Sequence, residues 1–142
     1  MGFNFINCFI RRKIFAKYND TPAAICLGIY LLGAIFYVFQ LLFMTEQWLA
    51  NELIGPEAIG VARVLGFAYL GYVAGLLMTY KKGPDGHGIF FLSLIVAQIG
   101  TFLNLWHQYL LVGVMTSLDD AIIVSVLTAL LLFGYIRIQS RL

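Results

Sequence analysis

Residues 23–44 read AAICLGIYLLGAIFYVFQLLFM, and this stretch decides the class of fold. It contains 22 residues without a single Asp, Glu, Lys or Arg. As an α-helix it would be roughly 30 Å long, which matches the hydrocarbon layer of a bilayer. A transmembrane strand would instead show in-out alternation over about 9–11 residues, and that pattern is absent. We therefore interpret the stretch as a transmembrane helix.

Three further apolar stretches of similar length follow, at about 58–80, 89–111 and 118–136. The connections between the four stretches are too short for another domain, so neighbouring helices must run antiparallel. The sequence thus predicts an all-α membrane protein, with residues 21–142 forming a four-transmembrane-helix, up-down-up-down bundle. Residues 1–20 mix large apolar and basic side chains, which is typical of an interfacial amphipathic segment.

The overall composition agrees with a membrane protein. Hydrophobic residues make up 61% of the chain and charged residues 11%, whereas a soluble domain is about half apolar and about a quarter charged. The net charge of +2 comes without a long basic run or a nucleic-acid-reading motif. We expect membrane lipids as partners and no nucleic acid.

Several helix ends carry recognisable signals. Asp20 or Thr21 before Pro22 is typical of an N-cap followed by proline in the first helical turn. Residues 55–57, Gly-Pro-Glu, repeat that signal before the second helix. Residues 117–120, Ser-Leu-Asp-Asp, predict a capped fourth helix with acidic side chains in its first turn, where the helix dipole favours them.

Charge is divided unevenly between the two ends of the predicted bundle. Eight of the nine basic residues lie at one end, while the other end has acidic residues and no lysine. The basic set is Arg11, Arg12, Lys13, Lys17, Lys81, Lys82, Arg137 and Arg141, and the acidic set is Glu46, Glu52, Glu57, Asp119 and Asp120. By the positive-inside rule, both termini are predicted to be cytoplasmic.

The two cysteines, Cys8 and Cys26, both belong to the predicted cytoplasmic half. That compartment is reducing, and the spacing is not Cys-x-x-Cys. We interpret them as packing residues, which argues against a disulfide-exchanging membrane enzyme.

Arg63 is the charged residue placed furthest inside a predicted helix. Such a charge costs a few kcal/mol unless it is paired or reaches water. It borders a face that contains a small-xxx-small pair, Gly71 and Gly75, which would let another helix approach closely. We expect Arg63 either to pair with an acidic residue at the same end or to extend to the headgroups. The candidate packing residues are Gly60, Gly71, Gly75 and Gly100.

The third helix has a small and polar stripe and an aromatic face. Ser93, Ala97, Gly100, Thr101, Asn104 and Gln108 share one arc, and aromatic residues including Phe91 and Trp106 occupy the opposite side. We expect the stripe to face the bundle, where interhelical hydrogen bonds of about 0.6 kcal/mol each explain it. The aromatic side is expected to face lipid or a neighbour.

A sharper reading places one polar cluster near the acidic end, consisting of Arg63, Asn104, His107, Gln108, Asp119 and Asp120. A histidine and two carboxylates could hold a divalent metal or relay protons. Helix capping already explains both aspartates, however, so no metal site is predicted. His87 and His107 lie 20 residues apart on one helix, hence about 30 Å, and cannot share a haem iron. His107 alone could still ligate a pigment or haem.

Residues 62–75, Ala62-Arg63-Val64-Leu65-Gly66-Phe67-Ala68-Tyr69-Leu70-Gly71-Tyr72-Val73-Ala74-Gly75, resemble the Arg-x-x-Gly-rich second helix of small four-pass membrane proteins of the DoxX-like group. The four-helix topology is also similar. The resemblance implies a small bacterial inner-membrane protein, in some cases tied to a redox or respiratory system. It implies no catalytic residue.

Three classes of function differ in how well they fit these patterns. A non-catalytic accessory subunit of a larger membrane complex, respiratory or photosynthetic, fits the short loops and the surplus of aromatic side chains. A small transporter or channel needs a polar path. One chain lacks such a path in its basic half, and an oligomer of several copies is the arrangement that could complete it. A membrane enzyme needs a nucleophile–base pair or metal ligands at fixed spacing, and the sequence offers none. The accessory subunit, joined to other transmembrane subunits or to copies of itself, is the function predicted.

Overall fold

The structure is a computed structural model that describes residues 17–142. This part of the chain contains five α-helices. They are α1 (Thr21–Phe43), α2 (Thr45–Asn51), α3 (Ile59–Lys82), α4 (Gly88–His107) and α5 (Ser117–Ile138). A 3-10 turn, Pro56–Ala58, leads into α3, and another, Gln139–Arg141, follows α5. The π-helical turn Gln108–Val112 prolongs α4.

Four of these helical segments are long and apolar enough to cross a bilayer. They are Thr21–Phe43, Pro56–Lys82, Gly88–Val112 and Ser117–Arg141. The contacts between α1 and α3 pair Ala24 with Tyr80 at one end and Leu42 with Gly66 at the other, so these two helices run antiparallel. The predicted fold class, an all-α membrane bundle, is confirmed. Of the predicted interfacial segment, residues 1–20, the first 16 lie outside the described residues.

The short helix α2 was not predicted, because its sequence was interpreted as a loop. It buries Thr45 and Leu49 against the bundle, and the Trp48 ring packs edge-on to Tyr37 with centroids 6.2 Å apart. Leu53 follows with a positive φ of 57°, a conformation that turns the chain out of the helix. The connection is therefore a packed element and covers one end of α1 and α3.

Helix starts differ in how well the sequence foretold them. Asp20 is the N-cap of α1, and its Oδ1 accepts a 2.9 Å hydrogen bond from the Ala23 N–H, as predicted. Asp119 and Asp120 do lie in the first turn of α5. The predicted cap by Ser117 is wrong, because the N-cap is Thr116 and it makes no side-chain hydrogen bond. Ser117 is instead the first residue of the helix, and its side chain is buried.

The helices are not packed evenly around the bundle. Helix α1 packs closely on both α3 and α5, and α5 packs closely on α4. Helices α3 and α4 lie side by side with few close approaches of their backbones. Side chains bridge this α3–α4 seam: Tyr69 bonds to Thr101, and the Phe90 ring lies against Gly75.

The core consists of side chains from all four long helices, including Leu27, Tyr30, Leu76, Phe91 and Leu131. Outside it, large apolar side chains remain exposed on every long helix, such as Leu32, Val64, Leu92 and Val126. A soluble monomer rarely exposes such a continuous apolar surface, whereas lipid solvates it. The exposed surface therefore agrees with a membrane-embedded bundle.

The predicted orientation of α4 is wrong. Ser93, Gly100 and Asn104 are exposed, while Phe91 is fully buried and Gln98 is 4% exposed. In a membrane both the core and the surroundings are apolar, so hydrophobic contrast does not fix which face points inward. Ser93 can face lipid at low cost, because its hydroxyl donates to the Ile89 carbonyl of its own helix at 2.9 Å.

The basic end of the bundle, which carries Lys17, Lys81, Arg137 and Arg141, is fastened by ion pairs. Arg137 Nε lies 2.9 Å from Asp20 Oδ2, and Arg141 Nη2 lies 2.7 Å from Asp85 Oδ2. Arg141 also donates to the carbonyls of Lys17 and Tyr18. The Arg137 hydrogen bond lowers the pKa of Asp20, and burial raises the pKa of Tyr18 to about 12. These contacts hold the segment just before α1, the α3–α4 turn and the C-terminal turn together.

Candidate functional site

A buried hydrogen-bond network joins three helices in the middle of the bundle. Gln98 on α4 accepts a bond from the Tyr30 hydroxyl on α1 and donates one to Thr128 Oγ1 on α5, each 3.0 Å long. Thr128 in turn donates to the Val124 carbonyl at 2.7 Å. Across residues 17–142, every buried side-chain nitrogen or oxygen has a partner. A fully satisfied network of this kind fixes the relative positions of helices.

A second polar contact crosses the α3–α4 seam. The Thr101 hydroxyl donates to the Ala97 carbonyl at 3.0 Å, so its oxygen is left to accept from the Tyr69 hydroxyl 2.7 Å away. Sequence reasoning found Thr101 as part of a polar stripe but did not find its tyrosine partner. An unusual number of tyrosines inside apolar helices was the available signal.

A column of aromatic rings runs from α2 into the bundle. The ring centroids are 6.2 Å apart between Trp48 and Tyr37, 5.2 Å between Tyr37 and Tyr69, and 6.1 Å between Tyr69 and Tyr72. Each pair is edge-to-face, which is the arrangement that aromatic quadrupoles favour. The column ties α2 to α1 and α3 and packs the acidic end of the bundle.

We call the end of the bundle that carries Glu46, Glu52, Glu57, Asp119 and Asp120 the acidic end. Two of its carboxylates, Glu52 and Asp120, interact electrostatically. Glu52 is half-buried, and its pKa is raised by that burial and by the charge of Asp120. In the described part of the chain, no three His, Cys, Asp or Glu residues are grouped so that they could hold a metal ion. The arrangement offers a local negative potential rather than a ligand set.

The six residues of the predicted polar cluster do not share one set of partners. Arg63 is exposed on α3, and both ion pairs found within residues 17–142 involve other arginines, so Arg63 pairs with neither Asp119 nor Asp120. Asn104 and His107 are exposed on α4. Gln108 is half-buried, and its carbonyl accepts the N–H groups of the turn that ends the helix.

Arg63 instead lines a shallow hollow between the end of α1, the start of α2 and α3. The hollow has a volume of about 410 Å³. Its lining residues are Phe43, Met44, Thr45, Glu46, Gln47 and Arg63. It thus brings one cationic and one anionic side chain to the same opening.

The four glycines predicted to pack helices have different surroundings. A Cβ on Gly75 would collide with the Phe90 ring, so the side chain of Phe90 on α4 occupies the space that this glycine leaves on α3. A Cβ on Gly60, Gly71 or Gly100 would meet nothing within 4 Å. Within a single chain these three glycines therefore leave open space on the outer surface.

Two glycines that sequence reasoning missed also make close contacts. A Cβ on Gly66 would lie 2.7 Å from Leu42 Cδ2, and one on Gly134 would lie 2.6 Å from Leu27 Cγ. These glycines let α3 and α5 approach α1. Neither belongs to a small-xxx-small pair with another glycine, which explains why the pattern did not identify them.

The outer surface of α4 carries a regular stripe of small and polar residues. Ser93, Gly100, Asn104 and His107 are exposed and Ala97 is half-buried. The spacing alternates four, three, four and three residues, a 3.5-residue repeat. We call these five residues the α4 stripe. Its Asn104 amide makes no hydrogen bond to any other described residue.

Comparison with protein-family models, with curated proteins and with solved structures finds no match to this chain. The resemblance of residues 62–75 to DoxX-like proteins therefore stays a prediction. The description of the chain as a small polytopic membrane protein is based on its four membrane-spanning helices.

Proposed function

We propose that this chain is a non-catalytic accessory subunit that packs through the α4 stripe against a transmembrane helix of a larger membrane complex. The observation that carries the proposal is the Asn104 side chain, which is exposed on the outer surface of α4 without a partner in the described chain. Asn104 lies eight residues before Val112, where this helical span ends, so it is about 12 Å inside the span.

An amide at that depth is unfavourable in lipid. Hydrocarbon offers no hydrogen bonds, so an unpaired amide keeps the desolvation cost of its N–H and C=O groups. A neighbouring transmembrane helix can satisfy both groups and gain about 0.6 kcal/mol per bond. Asn104 therefore favours a bundle whose α4 surface is covered by another helix.

The rest of the stripe fits a helix as its cover. Gly100 and Ala97 have little or no side chain, so another backbone can approach closely there. A 3.5-residue repeat keeps one face in contact with a partner that crosses at about +20°, as in left-handed helix pairs. None of the five side chains carries a fixed charge, which leaves no repulsion against a neutral partner face.

The distribution of charge supports an orientation for this subunit. We propose that the basic end faces the cytoplasm of a bacterial cell, with the chain in the inner membrane. The support is the excess of Lys and Arg at that end, since such residues are retained on the cytoplasmic side during insertion.

The proposal is tested by extracting native membranes under mild conditions and measuring the mass of the assembly. We expect a defined assembly larger than the chain, and we expect its loss in Gly100→Leu, whose side chain would fill the close approach. A second variant, Leu103→Asn combined with Asn104→Leu, moves the amide off the stripe without changing composition and should also weaken the assembly. A wild-type chain that extracts alone, or an assembly unaffected by both variants, would overturn the accessory role.

A second function uses the same stripe. The polar residues of α4 extend along the helix, so several copies with α4 turned inward would line a polar path, as a small oligomeric transporter requires. In that case the measured mass is a multiple of 15.9 kDa with no other subunit. Such a result would replace the accessory role with the transporter.

A further inference from the structure

We propose that the hollow beside Arg63 binds the headgroup of a zwitterionic phospholipid that carries a primary ammonium group, of the phosphatidylethanolamine type. The hollow lies on α1, α2 and α3, away from the α4 stripe, so this inference does not depend on the proposed function. The observation behind it is that Arg63 and Glu46 line one opening and remain unpaired.

The two charges are available to a ligand. Both side chains are exposed, and neither takes part in an ion pair with any residue from 17 to 142. Two opposite charges lining a single hollow without neutralising each other match a ligand with separated charges of its own. The lipid phosphate would accept from the Arg63 guanidinium, whose planar fork suits phosphate oxygens.

Position along the membrane normal fits a lipid headgroup. Phe43 is the last residue of α1 and of its span, and Arg63 lies seven residues, or about 10 Å, inside the span Pro56–Lys82. From that depth a long cationic side chain reaches toward the phosphates at the end of the span. The hollow is open and shallow, and its volume of about 410 Å³ leaves room for a headgroup.

The hollow continues into an apolar surface that can hold acyl chains. Phe43 is 75% exposed and stacks on Phe39 with ring centroids 5.2 Å apart. Phe67, one turn beyond Arg63 on α3, is 64% exposed. Phe43 lines the hollow itself, and Phe39 and Phe67 lie one helical turn further from the acidic end, on the path that a lipid tail takes. This continuity favours a lipid over a soluble phosphate compound.

Glu46 and Gln47 distinguish among lipid headgroups. A primary ammonium has three N–H donors, and the Glu46 carboxylate and the Gln47 amide oxygen can both accept them. A choline group has no N–H donor, and its usual site is a cage of several aromatic rings, whereas this hollow has one. The neutral glycerol headgroup of phosphatidylglycerol has hydroxyl donors but no positive charge to offset the charge of Glu46. Ethanolamine is therefore the headgroup that fits.

The test uses the full chain in nanodiscs that contain equal amounts of phosphatidylethanolamine and phosphatidylcholine with identical acyl chains. Native mass spectrometry then counts the lipids that stay bound on release. We expect ethanolamine lipid to be retained at least about tenfold over choline lipid, the ratio that one charge-assisted hydrogen bond supplies. Equal retention of the two lipids by the wild-type chain, or stronger retention of phosphatidylglycerol in a parallel disc, would overturn the proposal.

Variants separate the two halves of the site. Glu46→Gln should abolish the preference but keep bound lipid, because Arg63 still holds the phosphate. Arg63→Gln should lower retention of both lipids, and Arg63→Lys should restore part of it. Glu57→Gln, an exposed acid at the same end that does not line the hollow, is the matched control and should behave as the wild type.

Two results would contradict the assignment even if Arg63→Gln fails to fold. One is a preference for ethanolamine lipid that survives in Glu46→Gln, whose site is exposed and whose substitution leaves the core unchanged. The other is displacement of the bound lipid by soluble phosphoethanolamine at a matching concentration, since that would make the free headgroup compound the ligand.

Discussion

The Tyr30 hydroxyl on α1 donates a 3.0 Å hydrogen bond to Gln98 Oε1 on α4, across the middle of the bundle. Helices α1 and α4 are not neighbours along the chain, and their closest packing partners are other helices. The bond therefore links two helices that would otherwise be held mainly through α5 and α3. The bond requires the spans to be arranged so that α1 and α4 both face the middle of the bundle.

The strength of this contact can be measured with a double-mutant cycle. Tyr30→Phe and Gln98→Leu should each lower the free energy of unfolding, and their coupling energy should be about 0.6 kcal/mol and no more than about 1.7 kcal/mol. Gln98→Leu should cost more than Tyr30→Phe, because it also removes the bond to Thr128. Additive effects of the two substitutions would show that the bond contributes nothing to stability.

Two glycines should respond in opposite ways to the same substitution. Gly134→Ala places a methyl group against Leu27 and should lower the unfolding free energy by about 1–3 kcal/mol through overpacking. Gly71→Ala meets open space, and alanine is the better helix former by about 1 kcal/mol, so the isolated chain should be unchanged or more stable. Thermal unfolding in detergent measures both. Equal losses would show that Gly71 is packed within the chain.

The ion pair between Asp20 and Arg137 should make stability depend on pH on the acidic side. The pKa of Asp20 is lowered in the folded chain by Arg137 and by the Ala23 N–H. The contribution of the ion pair to the free energy of unfolding is thus fully present above the unfolded pKa of about 3.9. It is lost as the pH falls through the lower pKa of the folded chain.

The matched variant for this pH effect is Asp20→Asn. Asparagine keeps the N-cap hydrogen bond, since it caps about as well as aspartate, but it has no titrating carboxylate. We expect the variant to unfold more easily at neutral pH. Below about pH 4, its free energy of unfolding should fall less steeply than that of the wild type, because the titrating aspartate is gone. Glu57→Gln serves as the control. An acid unfolding profile in Asp20→Asn identical to that of the wild type would show that the ion pair of Asp20 with Arg137 does not cause the pH dependence.

Membrane orientation can be tested by labelling introduced cysteines from outside the cell, in a chain without Cys8 and Cys26. A cysteine at Gln47, in α2, should react with an impermeant reagent, and one at Gln139 should react only after the membrane is opened. The expectation comes from the basic residues at the end that contains Gln139. The reverse labelling pattern would place the acidic end in the cytoplasm.

The number and approximate bounds of the membrane spans could be predicted from sequence because the bilayer imposes a length and a polarity on each helix. The direction in which a helix faces could not. Phe91 and Asn104 were assigned opposite faces from the true ones, because an apolar surrounding allows an aromatic ring inside and an amide outside. Only contacts between distant residues, such as Tyr30 with Gln98, settle that choice.

The ion pairs at the basic end show a second limit. The positive-inside rule uses only the number of basic residues at each end of the bundle. In the structure, Arg137 and Arg141 pair with specific carboxylates, Asp20 and Asp85. These partners are 117 and 56 residues away in sequence, so no local spacing identifies them. For Arg63, by contrast, sequence reasoning left an alternative open, extension toward the headgroups, and its exposed position on α3 agrees with that alternative.

The claim that the α4 stripe is covered by another transmembrane protein can be tested by site-specific photo-cross-linking in native membranes. A benzophenone side chain at Asn104 should yield an adduct with a second protein, and the same group at the neighbouring Leu103, which is 59% exposed off the stripe, should yield lipid adducts alone. Protein adducts at both positions, or at neither, would contradict the claim.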